Sequence, residues 1–393
     1  MTRSLNAIDL YGLSRLAVHA VAGTTDLVEQ MHRTIARVSA PIGRSSSGRT
    51  RGITGLVYRS IHGVTGLVGG SLDLAGRHLL RAPEQESSSA PRERMLSVIN
   101  GVVGDHLEAT SNPLAIPMRL RYRGQALSLE SVDLAQSITR PRSRLLIAVH
   151  GLCLNHHCWS SPAEEGGADL PAELARRSGF TPLHLHYNSG RPIACNGRDL
   201  ASLLEQLVNK WPVPVEEIVL IGHSMGGLVS RSACHYGTEA AHTWTRNLRR
   251  VVCLGSPHLG APLEKAGYGL ERLLGVSPYS APFQKLGRMR SAGIIDLRHG
   301  RVLDHAEDLH ARLPVQATLH TVAATRSEEA SRLTARLVGD GLVPVASALG
   351  RHPQPDKRLP VASENQFVLA GVGHMGLLHD WRVVEVLEDW VKG

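Results

Sequence analysis

Ser224 lies in the segment Gly222–Gly226, which reads GHSMG and has the pattern G-x-S-x-G. The apolar run Ile218–Ile221 before it predicts a buried parallel strand, and apolar residues at helical spacing follow it. A serine on a sharp strand-to-helix turn presents its hydroxyl above the sheet, and glycines flank it because side chains would collide there. A tight glycine-rich turn with a bystander serine is the alternative. The position between a strand and a helix leads us to predict that Ser224 is a nucleophile.

A serine hydroxyl becomes a good nucleophile only when a neighbouring base removes its proton. The chain has 21 histidines, so position along the chain must decide between them. His374 follows the last predicted strand and lies among glycines that allow the chain to turn back over the sheet. His379, further into the next helix, and His320, inside a predicted strand, are the alternatives. We predict that His374 is the base.

The base in turn needs a carboxylate on its second ring nitrogen, which fixes the tautomer and stabilises the imidazolium. Asp340 lies between two glycines, shortly after the penultimate predicted strand. An aspartate in that setting is also a common turn residue, and Asp296 is the alternative acid. We predict that Asp340 is the acid. The resulting order of serine, aspartate and histidine is that of α/β-hydrolases and differs from the two protease orders.

Acyl transfer also requires hydrogen-bond donors for the oxyanion that develops on the substrate. The backbone N–H of Met225, next to the nucleophile, is the first predicted donor. The backbone N–H of Leu152 is the second, because His150 and Gly151 end a buried strand in a turn just before it. An ordinary strand-terminating turn is the alternative interpretation of that dipeptide.

Cysteines and histidines close to this turn raise a different chemistry. Zinc ligands are drawn from these residue types, and six of them fall in two short segments: Cys153, His156, His157, Cys158, His184 and His186. Their spacing matches no familiar zinc finger, and histidines beside an active-site mouth are more simply polar lining. We therefore predict no metal site and no cofactor.

Strand and helix patterns alternate over residues 116–393, which predicts an α/β fold with a mostly parallel sheet and helices on both faces. The predicted strands are Met118–Tyr122, Ala126–Leu129, Leu145–Val149, Pro182–His186, Ile218–Ile221, Val251–Leu254, Thr318–Ala323 and Phe367–Ala370. The predicted helices are Leu170–Arg177, Arg198–Trp211, Gly226–Tyr236 and Trp381–Val391. The three candidate catalytic side chains then converge at the carboxyl edge of one sheet.

Residues 1–80 predict an N-terminal helical hairpin, since apolar residues recur at helical spacing on both sides of a break at Pro41–Arg51. We expect this accessory hairpin to pack on the catalytic domain or on its own copy, with an interfacial membrane anchor as the alternative. Polar, Pro/Ser-rich composition predicts a linker within 81–115. The catalytic domain then spans 116–393, and residues 263–290 are compatible with a cap or with a plain surface excursion.

The composition favours a soluble globular protein over a nucleic-acid-binding one. The formal net charge is +8, but basic residues form no block interleaved with aromatics, which make up only 4% of the chain. We therefore expect no nucleic-acid partner. Five scattered cysteines and no recognisable signal peptide lead us to expect the cytoplasm, with peripheral membrane contact through the hairpin as the alternative. The oligomeric state stays open.

Further motifs join those around the serine: His150-Gly151, Gly255–Pro262 and Gly339–Pro344, with Tyr187–Gly190 and Asn196–Arg198. Together they resemble the bacterial esterase/lipase family of α/β-hydrolases and the related enzymes that deacylate glycolipid anchors. The resemblance covers about 118–393 and excludes the hairpin. It implies an α/β-hydrolase fold, and ester hydrolysis through Ser224, Asp340 and His374. We expect the substrate pocket to involve His150, Gly151, His223, His258 and Leu259.

The expected activity is that of a serine esterase or lipase, which forms an acyl-enzyme on a small-molecule or lipid ester. An acyltransferase that uses the same site is one alternative. A hydrolase-fold scaffold that binds a membrane or a partner without catalysis is the other, since a fold does not fix a function.

Overall fold

The computed structural model describes residues 6–38, 52–79, 89–160, 168–261, 291–304, 311–328 and 339–392. The chain divides into two compact units, of which the first comprises Met1–Arg92 and Leu107–Ala115, and the second Glu93–His106 and Ile116–Gly393. The predicted cap at 263–290 lies outside the described residues.

The first unit contains the helices α1 (Ala7–Val38) and α2 (Gly52–Leu79), which pack against each other as an antiparallel hairpin. The hydroxyl of Tyr11, near the start of α1, donates to Oδ1 of Asp73, near the end of α2, at 2.8 Å. Further along the hairpin, Asp26 pairs with His62 at 3.2 Å. The predicted N-terminal helical hairpin is therefore confirmed.

The helix α2 carries apolar side chains that remain exposed. Val64 and Leu67 are 62% and 74% exposed, and Ile61 and Val68 are 38% and 48% exposed. Their spacing of three and four residues places them on one side of the helix. Among the described residues, no helix combines the length and the hydropathy required to span a bilayer.

A third helix, α3 (Ala90–Ala109), corrects the prediction of a linker over 81–115. Its first residues, APRER, are polar, but proline fits the first turn of a helix, where its missing N–H is not needed. The apolar residues that follow recur at helical spacing, and Ile99, Val102 and Val103 are almost completely buried. Residues 80–88 lie outside the described part of the chain.

The second unit is built around a sheet. Its strands are β1 (Arg119–Tyr122), β2 (Gln125–Ala126), β3 (Arg144–Val149), β4 (Thr181–His186), β5 (Glu217–His223), β6 (Leu248–Leu254), β7 (Thr318–Thr325) and β8 (Gln366–Ala370). Within the described residues, their order is β2-β1-β4-β3-β5-β6-β7-β8. The strand β1 runs antiparallel to β2 and β4, while β3 to β8 are parallel. Each predicted strand has a counterpart, but β2 is confined to Gln125–Ala126 and overlaps the predicted strand Ala126–Leu129 only at Ala126.

The central strands are apolar throughout because both faces of the sheet are covered. The runs Leu145–Val149 in β3 and Ile218–Ile221 in β5 have no exposed surface. The flanking helices are α4 (Ser131–Ser137), α5 (Leu170–Ser178), α6 (Ile193–Lys210), α7 (Met225–Glu239), α8 (Ala292–His299), α9 (Val345–Ala348) and α10 (Trp381–Lys392). These include all four helices predicted for this part of the chain.

Candidate active site

Ser224 occupies the turn between β5 and α7. Its backbone has φ 53° and ψ −121°, a conformation that residues with side chains rarely adopt and that surrounding structure must hold in place. The flanking glycines make the turn possible. A Cβ on Gly226 would overlap the carbonyl oxygen of Val149, and one on Gly222 would overlap the backbone of Gly227. The sequence pattern is therefore explained by close approach of the backbone on both sides of Ser224.

His374 and Asp340 form a buried pair, with Nδ1 of the ring 2.7 Å from Oδ2 of the carboxylate. The second carboxylate oxygen accepts the backbone N–H groups of Leu342 at 2.9 Å and Val343 at 2.8 Å. Burial raises the pKa of Asp340, but the His374 ring and the two N–H groups together outweigh it, so the pKa is lowered overall. An ionised Asp340 holds a proton on Nδ1 of His374, which leaves Nε2 as the basic nitrogen.

His374, in the loop after β8, and Asp340, in the segment between β7 and β8, meet at the end of the neighbouring strands. Gly255 follows β6, the strand next to β5, and a Cβ on it would lie 3.2 Å from both Cε1 of His374 and Oδ2 of Asp340. The rings of His374 and His223, the residue before Ser224, have centroids 4.7 Å apart. Within the described residues, the Ser224 hydroxyl and the His374 ring share no hydrogen bond. Such bonds are often long in sites without substrate and tighten when it binds.

The two predicted oxyanion donors are both available. The backbone N–H groups of Leu152 and Met225 have no acceptor among the described residues. The turn that carries Leu152 reaches the nucleophile, because a Cβ on Gly151 would lie 3.1 Å from Cβ of Ser224. The two N–H groups therefore come from the residue after Ser224 and from a turn packed against it.

Side chains that follow β4 hold the same turn in place. The hydroxyl of Tyr187 donates to the carbonyl of His150 at 2.8 Å. The hydroxyl oxygen of Ser189 accepts the backbone N–H of Cys153 at 3.0 Å. The N–H of Cys153 is therefore occupied, whereas that of Leu152 has no acceptor among the described residues.

The alternative acid and bases lie in other surroundings. The carboxylate of Asp296 accepts a backbone N–H at the start of α6 at 3.0 Å, and burial raises its pKa. The His320 ring lies 2.9 Å from Oγ1 of Thr318, and Nδ1 of His379 lies 3.2 Å from a backbone carbonyl. Among these three histidines, only His374 is paired with a carboxylate in the described part of the chain.

The side chains predicted to form the substrate pocket are mostly buried. His150 and His223 have no exposed surface, and His258 is 1% exposed. Nδ1 of His258 lies 3.1 Å from a guanidinium nitrogen of Arg231, so this ring faces α7. Leu259 is half-buried. Contact of these residues with substrate stays a prediction, because residues 262–290, which follow this segment, lie outside the described residues.

Two contributors near the site were not identified as such from the sequence. Ser189 lies in one of the segments on which the family resemblance rests. Its hydrogen bond to the turn that carries Leu152, here called the oxyanion turn, forms only in the folded chain and was not predicted. Glu93, on α3, contacts His156 and His157. The sequence analysis placed it in a linker and assigned it no role. Cys153 stays apart from this cluster, and burial raises the pKa of its thiol to about 12.

Residues 146–324 match the model of a family described as the PGAP1-like alpha/beta domain. This match confirms the resemblance inferred from the motifs and the α/β-hydrolase fold of the second unit. No curated protein sequence matches the chain.

Solved structures similar to the chain include bacterial lipases. The mature lipase BlEst2 of Bacillus licheniformis has 19% identity and a TM-score of 0.45, over 65% of this chain and 95% of the lipase. A lipase-esterase related protein of Clostridium acetobutylicum has 15% identity and a TM-score of 0.37, over 70% and 98% of the two chains. The Staphylococcus hyicus lipase has 13% identity and a TM-score of 0.38, over 64% and 96%. Identities this low do not transfer an activity.

Proposed function

We propose that this chain is a serine carboxylic-ester hydrolase in which Ser224, His374 and Asp340 act as nucleophile, base and orienting acid. The observation that carries the proposal is the buried His374–Asp340 pair, held at the edge of the sheet where Ser224 occupies its strained turn. The backbone N–H groups of Leu152 and Met225, which have no acceptor among the described residues, support it further.

In the acylation step, Nε2 of His374 accepts the proton of the Ser224 hydroxyl while Oγ attacks the ester carbonyl carbon. The π electrons of the carbonyl move to its oxygen, and the backbone N–H groups of Leu152 and Met225 donate to that oxyanion. Loss of one such donor lowers kcat by about 10²–10³-fold in other enzymes of this type. The oxyanion then collapses, the bond to the alcohol breaks, and His374 gives its proton to the departing alkoxide.

In the deacylation step, water attacks the acyl-enzyme while His374 again accepts a proton. The second tetrahedral intermediate releases the carboxylic acid, and the proton returns to Oγ of Ser224. Asp340 stays ionised in both steps and stabilises the imidazolium that forms twice in each cycle.

The first test compares the wild type with Ser224→Ala on a short p-nitrophenyl ester. We expect the variant to keep its fold and lose nearly all turnover, because its side chain has no oxygen to acylate. Ser363→Ala, at an exposed position before β8, is the matched control and should keep full activity. Unchanged turnover in Ser224→Ala would exclude this mechanism.

A fluorophosphonate probe separates an enzyme from a catalytically silent scaffold. The activated hydroxyl displaces the leaving group at phosphorus, so the wild type should be labelled at Ser224 and the alanine variant should not. An unlabelled wild type would favour the scaffold. Product analysis with an added alcohol distinguishes hydrolysis, which yields the free acid, from acyl transfer, which yields a new ester.

The substrate class follows from the same proposal as a small-molecule or lipid ester. A series of p-nitrophenyl esters of increasing acyl length measures the space available to the acyl group. A preference for short chains indicates an esterase, and a preference for long chains indicates a lipase.

A further inference from the structure

A second group of reactive side chains lies outside the candidate catalytic triad, between α3 and the loop that carries the oxyanion turn. Oε2 of Glu93 lies 2.9 Å from Nε2 of His157 and 3.8 Å from Nε2 of His156. The other carboxylate oxygen, Oε1, contacts the Arg121 guanidinium at 2.8 Å. The three potential ligand atoms of Glu93, His156 and His157 all lie within 4.8 Å of one another.

The burial of His156 is not accounted for by an ion pair or a hydrogen bond. Its side chain is only 6% exposed, and neither ring nitrogen has a hydrogen-bond partner among the described residues. A buried polar group without a partner costs about 1–3 kcal/mol and calls for an explanation such as an unseen ion.

The spacing of the three atoms fits a zinc ion. With Zn–N and Zn–O bonds of about 2.0–2.2 Å, tetrahedral ligand atoms lie about 3.3–3.6 Å apart. The two distances from the Glu93 carboxylate oxygen, 2.9 and 3.8 Å, bracket that range, and the ligand nitrogens of the two histidines lie within 4.8 Å of each other. Two histidines and one carboxylate are a common ligand set for zinc.

We propose that Glu93, His156 and His157 bind a divalent transition metal ion, with zinc as the best fit. Arg121 would hold the carboxylate oxygen that does not bind the metal and so orient the ligand. His186, with an unpartnered Nδ1 and a ring centroid 5.8 Å from that of His156, is available nearby; a water molecule is the other candidate for the fourth position.

A metal ion at this site would have a structural effect on the loop after β3. The ion would join α3 to the loop after β3, whose first residues carry the predicted oxyanion donor Leu152. The loop already makes one polar contact with α3 beside the cluster, in which Nδ2 of Asn155 donates to Oγ of Ser97 at 3.2 Å. A metal would add two ligands from the loop and one from the helix, and would stabilise the loop without touching the substrate.

The test uses the full chain, stripped of metal with a chelator and dialysed against Zn²⁺. We expect one tightly bound zinc ion per chain by elemental analysis. We also expect a Zn²⁺-dependent rise in Tm, because a ligand that binds only the folded state stabilises it. Substitution with Co²⁺ should give the visible absorption of a four-coordinate ion. All three readouts are independent of ester hydrolysis, so they do not depend on the proposed function.

Variants separate the site from weak binding by other histidines. His157→Gln, at a position 30% exposed, should fold and should lower the zinc affinity by at least about 100-fold, the upper end of what loss of an outer partner costs. His156→Gln should behave in the same way, while His299→Gln, at an exposed position on α8, should bind as the wild type does. Wild-type protein that retains no zinc after dialysis, or equal affinity in all three variants, would overturn the proposal and leave an ion pair of Glu93 with Arg121.

Discussion

His223 should make the folded protein sensitive to acid well before its carboxylates are protonated. Its ring has no exposed surface, and Nε2 lies 3.1 Å from the backbone carbonyl of His374. Burial, and then the nearby His374 ring, lower the pKa of His223 to about 3, although its contact with that carbonyl raises it in part. In the unfolded chain the same side chain takes up a proton near its ordinary pKa of about 6.5.

The sign follows from where the proton binds. Below about pH 6.5 the unfolded state binds a proton at His223 that the folded state does not, so the free energy of unfolding falls as the pH falls. The slope approaches 1.4 kcal/mol per pH unit and ends near the folded pKa of about 3. Between pH 8 and pH 5, this one side chain should remove about 2 kcal/mol of stability.

The assay measures urea unfolding of the wild type and of His223→Gln at pH 8 and pH 5. Glutamine keeps a donor for the carbonyl of His374 but does not titrate. The variant should therefore lose about 2 kcal/mol less than the wild type over this interval. His299→Gln, which changes an exposed ring, is the control and should lose as much as the wild type.

Equal losses in the wild type and in His223→Gln would refute the reasoning, because His223 would then bind the same number of protons in both states. An NMR titration of ring-labelled histidines gives an independent check. The His223 signal should not shift between pH 8 and pH 5 in the folded protein, and a midpoint near pH 6.5 would contradict its burial as the controlling effect.

Three further predictions concern the site and the hairpin. Asp340→Asn should lower kcat for a p-nitrophenyl ester by about 10³–10⁴-fold with little change in KM, since an amide favours the wrong tautomer of the base; a change confined to KM would contradict the assigned role. Gly226→Ala should lower the free energy of unfolding in urea by about 1–3 kcal/mol or more, because the added methyl group overlaps the carbonyl of Val149. The control is Gly63→Ala, where a Cβ meets nothing within 4 Å. This variant should stabilise α2 by about 0.5–1 kcal/mol. If the hairpin is an interfacial anchor, which is the alternative to its packing on protein, Leu67→Asp, at a position 74% exposed, should weaken co-sedimentation with anionic vesicles without a change in unfolding. Equal sedimentation would rule out that alternative.

The sheet was predictable because its strands carry a strong local signal. A buried parallel strand such as Ile218–Ile221 is a short apolar run between polar segments. Any fold that did not bury this run would expose its apolar side chains to water. The turn at Ser224 was predictable for a related reason. Its glycines are required by the backbone itself, so they are visible in the sequence without any knowledge of distant residues.

The helix α3 was not predicted, since its polar first residues, Ala90–Arg94, continue the polar, Ser-rich composition of the segment before them. Glu93 forms ion pairs with Arg121 and His157. Both partners lie far from it along the chain, so a local pattern does not reveal these contacts. Gly104 weakens the helical signal further, yet a Cβ there would overlap the side-chain amide of Asn188. The same limit applies to Ser189, whose contact with the oxyanion turn exists only once β3 and β4 have paired.

The loop that carries His374 follows β8, which lies at one edge of the sheet, whereas Ser224 follows a central strand that is synthesised much earlier. A polypeptide still on the ribosome thus displays the serine long before the imidazole has been made. Every shortened translation product that stops ahead of residue 374 should be inert toward a fluorophosphonate, however much of the sheet it has assembled. Reactivity would then report that synthesis has passed that point.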